Sequence, residues 1–464
     1  MKVKIGKGAM TMARLASLTG GILGGCGAQS FEYICTDSRE ADGDTLFVAI
    51  RGERVDGHSY IAKAAELGCR CVLAEREVED CANLSFVKVG DSVCALSTLA
   101  RGYGEGDKRK TVAITGSVGK TTTKETVAAA LSSLEPYKTQ GNYNSVIGSP
   151  LSMLEMDENT AAAVLEMGMS GLHEIESMSR AARPDVAIIT NIGSSHLEML
   201  GSRENIRRAK LEITYGLKED GILLINGDDP MLRDYDCGVK TMRVGLADED
   251  HDFYAKDIEN GDGCVSFTAV YPDRTEQRVT LRAVGDHVVQ AALFGCAAAY
   301  LLGVDKETAA EGLARFENTG MRQNIYPLGQ ITVVEDCYNA SPESMRAAIR
   351  VATGLAERRG GRAVALLGDM KELGDGSAEL HRGVGRFAAE QGIDLLITYG
   401  SLARDIAAGA AELGGCEVFA LDADPEAAAD LITEKTQSND ILLFKASRAM
   451  ALEEVIKILK ERTV

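Results

Sequence analysis

The chain has 464 residues, 45% of them hydrophobic, which is enough for about three globular domains with cores of their own. Its net charge of −19 argues against nucleic acid or an anionic membrane as a partner, because both repel a negative surface. The eleven cysteines are scattered, odd in number and never spaced CxxC, so they read as buried free thiols of a reducing cytoplasm.

A first unit covers residues 1–105. Its N-terminus carries basic residues but no uninterrupted apolar stretch, so no signal peptide is read. No run in the whole chain approaches the roughly 18–20 apolar residues that a membrane helix needs. The pattern predicts a small α/β unit: an apolar run at 45–50, a helix at 61–67 and a strand at 70–74. Between them stand Thr36-Asp-Ser-Arg39 and Arg51-Gly-Glu-Arg-Val-Asp-Gly-His58. These are either solvated turns or, through Ser38, Arg39 and His58, an anchor for an anionic head group. Arg suits a diphosphate because its planar fork makes paired hydrogen bonds. Residues 102–110 read as a linker.

The second unit, 106–316, opens with Thr111-Val-Ala-Ile-Thr-Gly-Ser-Val-Gly-Lys-Thr-Thr122. A β-branched run leads into a Gly-rich turn, and Lys120 begins a helix. Strand, turn and helix in that order make a phosphate loop. Gly116, Ser117 and Gly119 let backbone N–H groups face an anion at the positive helix end. Lys120 would sit on the β- and γ-phosphates, the Thr121 hydroxyl would reach a Mg²⁺, and Thr122 borders the same loop. The spacing is the short G-x-x-G-K-T, because Ile114 stands where the longer motif has its first Gly. Apolar strands at 161–165, 186–189 and 222–225 alternate with helical segments, which predicts a doubly wound parallel sheet. Ligands of such sheets lie at the C-terminal strand ends, where Glu166 and Asn191 stand. Mg²⁺ favours a few carboxylates with phosphate oxygens and water, and Glu166 with Thr121 fits that. His196 follows another strand end and reads as a loop histidine, as a ligand of a second Mg²⁺ or as a group that orients a phosphate. No pair among the six histidines has H-x-x-x-H spacing, so a His-rich zinc site is not expected. Lys210 reads, on residues alone, as a solvated helix lysine. A helix is predicted over 283–302 and a boundary at 315–319.

The third unit, 317–464, repeats the alternation with strands at 331–335, 363–367, 395–398, 418–421 and 441–444 and helices at 344–355 and 427–433. It reads as a Rossmann-like α/β domain without a phosphate loop. Asp336 follows a strand, where an acid commonly holds a ribose hydroxyl pair, and Tyr338 or Asn339 would border the nucleotide. Arg322, just past the boundary, could swing over a γ-phosphate as domains close.

Taken together these residues resemble the Mur ligases, ATP-dependent amide-forming enzymes of peptidoglycan precursor synthesis. Asp336-Cys-Tyr-Asn-Ala-Ser-Pro-Glu-Ser-Met345 is similar to the D-x-Y-N-A-x-P-x-S-M pattern of the members that add D-alanyl-D-alanine. Thr139-Gln-Gly-Asn-Tyr-Asn144, Ile147-Gly-Ser-Pro-Leu151, Glu166-Met-Gly168, Leu367-Gly-Asp-Met-Lys-Glu-Leu-Gly374 and Lys445-Ala-Ser-Arg448 extend the likeness over nearly the whole chain. The resemblance implies ATP with Mg²⁺ as cofactors and UDP-MurNAc-tripeptide and D-alanyl-D-alanine as substrates, in a monomeric cytoplasmic enzyme. It implies Lys120 on the γ-phosphate, Thr121 and Glu166 on one Mg²⁺ and His196 on the second. It gives Lys210 as the family lysine that can become a carbamate by reaction with CO₂ and so turn into an anionic metal ligand. Asn142, His287, Arg322 and Asp336 would contact ATP, Ser38, Arg39 and His58 the UDP part, and Lys445, Ser447 and Arg448 the dipeptide. One departure stands out. The family pattern G-x-H-N-x-x-N-A is here Gly285-Asp-His-Val-Val-Gln-Ala-Ala292, with Val288 and Ala291 in place of asparagines that help hold adenine, a task that could shift to Gln290. The alternatives are a related Mur or folylpolyglutamate-type ligase, and a non-catalytic homologue that binds UDP-sugar peptides.

Overall fold

Short Val-, Ile- and Leu-rich runs bounded by Gly and polar residues build three sheets in the computed structural model, which describes all residues except 53, 79–83, 247, 319 and 464. Glu53, within the polar 51–58 stretch, and Thr319, at the predicted boundary, lie outside the described residues.

The N-terminal sheet has six strands, with Tyr33–Cys35, Thr45–Val48, Cys71–Ala74 and Ser85–Lys88 parallel in its centre. Its antiparallel edges, Lys2–Lys4 and Ile22–Gly24, are short. One face of this sheet shares a single apolar core with the central unit, running from Val3 and Leu15 through Leu96 to Leu151, Met178 and Ile206. The 102–110 stretch is therefore pinned and not a free linker. The Tyr103 hydroxyl donates to the Met156 carbonyl at 3.0 Å, Lys7 pairs with Asp107 at 2.8 Å, and Arg109 donates to the Asp157 carbonyl at 2.9 Å.

The central sheet has nine strands. Lys110–Thr115 lies in the middle of the parallel part, flanked by Ala162–Glu166 and Val186–Ile189. Burial on both faces explains why these strands are continuous apolar runs. Beyond Phe253–Asn260 the sheet departs from the expected all-parallel order: Val265–Val270 and Glu276–Leu281 pair antiparallel, so the sheet is mixed. Helices Lys120–Ala130 and Asp286–Leu301 pack on one face of this sheet. In the C-terminal sheet Ile331–Glu335, Ile441–Lys445, Ala363–Gly368, Leu395–Tyr399 and Glu417–Leu421 run parallel. The strand Asn324–Leu328 adds an antiparallel edge, where Pro327 is tolerated because an edge position demands fewer N–H donors.

All ten cysteines among the described residues are free; five are buried, but Cys26 and Cys94 are exposed, against the expectation of buried thiols throughout. Burial pushes the Cys35 thiol up to about 12. Among the described residues no helix is long and apolar enough to cross a membrane.

Candidate active site

The C-terminal ends of the central strands face the C-terminal unit across a cleft of about 610 Å³. On the central side the strand Lys110–Thr115 gives way to the loop 116–119, and Gly119 caps the helix Lys120–Ala130 with a left-handed backbone, φ 84°. That conformation suits glycine and costs other residues about 1 kcal/mol or more. Gly116 is required for a second reason: a Cβ there would lie 1.8 Å from Thr190 Oγ1. Thr190 and Asn191, from the next strand, fix the loop. The Asn191 amide accepts from Val118 N–H at 2.9 Å and donates to the Val118 carbonyl at 3.0 Å, and Thr190 Oγ1 donates to the same carbonyl at 2.6 Å. The first helical N–H groups, left unpaired by helix geometry, thus open on the cleft at the positive end of the helix dipole.

Lys120 borders the cleft and its ammonium donates to the Gly116 carbonyl at 2.9 Å. Loss of water around it lowers its pKa, a shift opposed by Glu166 and reinforced by Arg322. Thr121 Oγ1 donates to Glu166 Oε2 at 2.9 Å, and Asn144 Nδ2 donates to Glu166 Oε1 at 2.7 Å. Glu166 is buried, so both carboxylate oxygens are aligned by neighbours at a strand end, where a lone acid would be costly. This donor set is hard oxygen from two residues, which fits a Mg²⁺ that keeps phosphate and water ligands. Among the described residues no three His, Cys, Asp or Glu side chains converge on one point.

Lys210 is not the solvated helix lysine that residues alone suggest. It is 1% exposed, and burial, together with the charge of Lys120, holds its pKa well below the usual lysine range. Its amine has no hydrogen-bonded or ionic partner among the described residues. His196 borders the cleft, but its Nδ1 lies 2.8 Å from Glu372 Oε2 of the C-terminal unit. That hydrogen bond holds the Glu372 carboxyl below its ordinary range, and only Nε2 remains for a metal.

The facing wall comes from the C-terminal unit. Arg322 stacks on Tyr338, 3.8 Å from the ring centroid, and both line the cleft with Asp336 and Asn339. Lys445, expected beside the dipeptide with Ser447 and Arg448, lines the cleft and lies buried on the Asp336 loop. Its ammonium meets Asp336 Oδ2 at 2.6 Å and the Asn339 carbonyl at 3.1 Å. Ser447 accepts from Lys371 N–H at 2.9 Å and Arg448 pairs with Glu453 at 2.6 Å, and neither lines the cleft. His287 does line it and shares a 3.0 Å hydrogen bond with Gln323, while Asn142 and Thr122 lie along the loop side. Ala291, Phe294 and Gln290 form an apolar flank, with Gln290 Nε2 donating to the Val244 carbonyl at 3.0 Å. Val288 is buried in the core of the central unit.

Ser38, Arg39 and His58 stand in the N-terminal unit and do not line the cleft. Arg39 forks onto Asp37, with Nε at 2.9 Å from Oδ1 and a terminal nitrogen at 2.6 Å from Oδ2. His58 is buried, its Nδ1 2.7 Å from Asp56 and its Nε2 accepting from Glu75 N–H at 2.9 Å. Asn144, Gln323, Glu343 and Glu372 are site neighbours that the sequence does not single out. Asn144 sits at the end of the 139–144 motif and Glu372 inside the 367–374 motif, which is the only signal either gives.

The chain is similar to known proteins over most of its length. The family model described as the Mur ligase middle domain matches residues 114–299, the Mur ligase glutamate ligase domain matches 314–448, and the Mur ligase family catalytic domain matches 30–103. The UDP-N-acetylmuramoyl-tripeptide–D-alanyl-D-alanine ligase of Bacillus subtilis (strain 168) is 40% identical over 432 residues, covering 92% of this chain and 93% of its own. The enzyme of the same name from Escherichia coli (strain K12) is 32% identical over 460 residues, covering 97% and 98%. A crystal structure of MurF from Acinetobacter baumannii superposes with a TM-score of 0.90 at 31% identity, over 98% of this chain and 100% of that one. The MurF ligase of Thermotoga maritima, solved in complex with ADP, gives 0.82 at 31% identity over 93% and 97%.

Proposed function

This chain belongs to the Mur ligase family, and we propose that it joins D-alanyl-D-alanine to the terminal carboxylate of UDP-N-acetylmuramoyl-tripeptide, using ATP, in peptidoglycan precursor synthesis. The observation that carries the reading is one cleft in which Lys120, Thr121 and Glu166 face Arg322, Asp336 and Lys445. In this reading residues 1–105 receive the UDP part, 106–316 hold ATP, and 317–464 close over it and admit the dipeptide.

The substrate carboxylate attacks the γ-phosphorus of ATP, giving an acyl phosphate and ADP. The amine of D-alanyl-D-alanine then attacks the acyl carbon, and phosphate leaves from the tetrahedral intermediate. Phosphoryl transfer of this kind depends on positioning and charge neutralisation more than on covalent help. Lys120 and the N–H groups at the N-terminus of its helix, beyond Ser117 and Val118 whose N–H groups are held by Asn191, supply positive charge on the phosphate side. Arg322 brings a further cation from the opposite wall. Glu166, aligned by Thr121 and Asn144, would hold Mg²⁺, which shields the phosphate charge when bound. His196 Nε2 and a carbamate on Lys210 would complete a second metal position; an uncharged, partnerless amine is the form that reacts with CO₂. Closure of the C-terminal unit keeps water from the acyl phosphate.

The test is phosphate release by the full-length protein with ATP and Mg²⁺. Release is expected only when UDP-MurNAc-tripeptide and D-alanyl-D-alanine are both present. Release indifferent to the dipeptide, or absent with both substrates, removes this function.

A further inference from the structure

A carboxylate set back from the cleft links its two walls. Glu343 sits in the first turn of the helix Pro342–Arg359. An acid there ordinarily serves its own helix, by capping N–H groups or balancing the dipole. Here the capping is done by others: Ser341 Oγ accepts from Ser344 N–H at 3.4 Å, and Ser344 Oγ accepts from Ser341 N–H at 2.9 Å. Glu343 is free to reach across the domain boundary, where its Oε1 accepts from both Ser194 N–H, at 3.0 Å, and Ser194 Oγ–H, at 2.9 Å. The approach depends on Gly193, since a Cβ at that position would lie 2.8 Å from Glu343 Cδ.

The segment that Glu343 grips holds the phosphate loop on its other side. Gly193 N–H donates to Ser117 Oγ at 2.8 Å, and Ser195 Oγ donates to the Ser117 carbonyl at 3.3 Å. Two further ties join the same segment to the C-terminal unit. His196 Nδ1 lies 2.8 Å from Glu372 Oε2, and Glu198 N–H donates to the Glu372 carbonyl at 3.2 Å. The second is a backbone hydrogen bond, so it survives changes of side chain. Ser194 stands between the two residues that touch Ser117, which gives the Glu343 contact the most direct hold on the loop.

We infer that Glu343 is a positioning residue: its grip on Ser194 transmits the position of the C-terminal unit to the phosphate loop through Ser117. Only the kinetic consequence rests on the ligase reading; the mechanical coupling does not need it. When the C-terminal unit is seated, the 193–196 turn is clamped and Ser117 is held. When the unit swings away, the turn loses both Oε1 contacts and the loop loosens.

The experiment uses the full-length chain and the variants Glu343→Ala, Glu343→Gln and Ser194→Ala. Amide hydrogen exchange is followed by mass spectrometry, alongside kcat, KM for ATP and for the UDP substrate, and ADP released per amide bond formed. Glu343→Ala is expected to speed exchange about 10-fold or more in peptides covering both 193–198 and 116–120, the size of losing a hydrogen bond to a charged group. Exchange in 110–115 and the melting temperature should stay at parental values. Kinetically, kcat falls about 10-fold, KM for the UDP substrate is unmoved, and more ADP is released per amide formed. Glu343→Gln restores most of both readouts, because a carboxamide oxygen accepts the same two hydrogens, and Ser194→Ala, which keeps the backbone N–H contact and loses only the hydroxyl one, shows a smaller change in the same direction. Unchanged exchange in 116–120 in Glu343→Ala overturns the inference, as does a Gln variant as damaged as the Ala one. A parent that makes no amide while the exchange changes appear as expected sinks the ligase reading and leaves the clamp standing.

Discussion

The two ends of the cleft are built on different principles. At the phosphate end nearly every polar group is held by another: Val118 by Asn191 and Thr190, Glu166 by Thr121 and Asn144, Lys445 by Asp336. At the other flank the wall is Ala291, Phe294 and Leu246, with Gln290 and Asp228 among its polar members. Gln290 Oε1 is shut from solvent and has no hydrogen-bond partner among the described residues. Charge has to be placed to within tenths of an ångström to act on a phosphate, so its holders are themselves held. In the proposed reading this flank receives the base, which an apolar slot of the right shape grips well; Ala291 lines it where the family pattern has an asparagine, while Val288 lies in the core and not on the cleft wall.

That contrast predicts a gradient of mutational damage. The largest effect is expected at Lys120→Ala, which should lower substrate-dependent ADP formation by about 10³-fold, the scale of removing one preorganised charge stabiliser. Turnover near the parental value would take the loop out of the mechanism. Next is Glu166→Ala, expected to lower kcat by about 10²-fold at saturating ATP and to raise the Mg²⁺ concentration needed for half-maximal rate. Superimposable Mg²⁺ titrations would show that Glu166 is not a ligand.

Lys210 sharpens the contrast by a different readout. Its folded-state pKa is depressed, so the unfolded chain binds more protons than the native one between that depressed value and about 10.4, the ordinary lysine value. Stability should therefore rise with pH across that window. Urea titrations of Lys210→Met at several pH values should show this rise diminished, and parallel curves for variant and parent would mean that the amine carries its charge in the folded protein. The smallest effect is expected at the base flank. Gln290→Ala should raise KM for ATP about 3-fold with kcat unchanged, and Val288→Asn with Ala291→Asn should not exceed that change in either direction. A loss at Gln290 as large as at Lys120 would break the comparison.

What the sequence disclosed follows the same division. The phosphate loop was legible because its parts are consecutive: strand, Gly-rich turn, Lys120 and helix within a dozen positions. Glu166 and Asp336 were legible because each ends an apolar run. Glu343 was not, since Ser194 lies 149 positions away and nothing local distinguishes it from a helix-capping acid. Lys210 misled in the opposite sense: a helix lysine between charged residues reads as solvated, and only tertiary packing buries it. The four strands from Thr241–Leu246 to Glu276–Leu281 escaped for a related reason. They alternate buried and open positions, as in Val265–Val270, and carry charge on the open side, as in Glu276–Leu281, so no continuous apolar run marks them. The resemblance to a known family supplied what local pattern could not: the expectation that His196 and Lys210 serve a second metal and that Ser38, Arg39 and His58 receive the UDP part.

The shared apolar core of the first two units has a mechanical meaning. Because Val3, Leu15 and Leu96 belong to the same packed cluster as Leu151 and Ile206, separating these units would expose apolar surface between them to water, whereas the C-terminal unit keeps cores of its own on both sheet faces and, among the described residues, shares only Val284. Apolar packing joins the first two units and largely leaves out the third. Heating should therefore melt the N-terminal and central units together, and a calorimetric trace can hold two endotherms but not three.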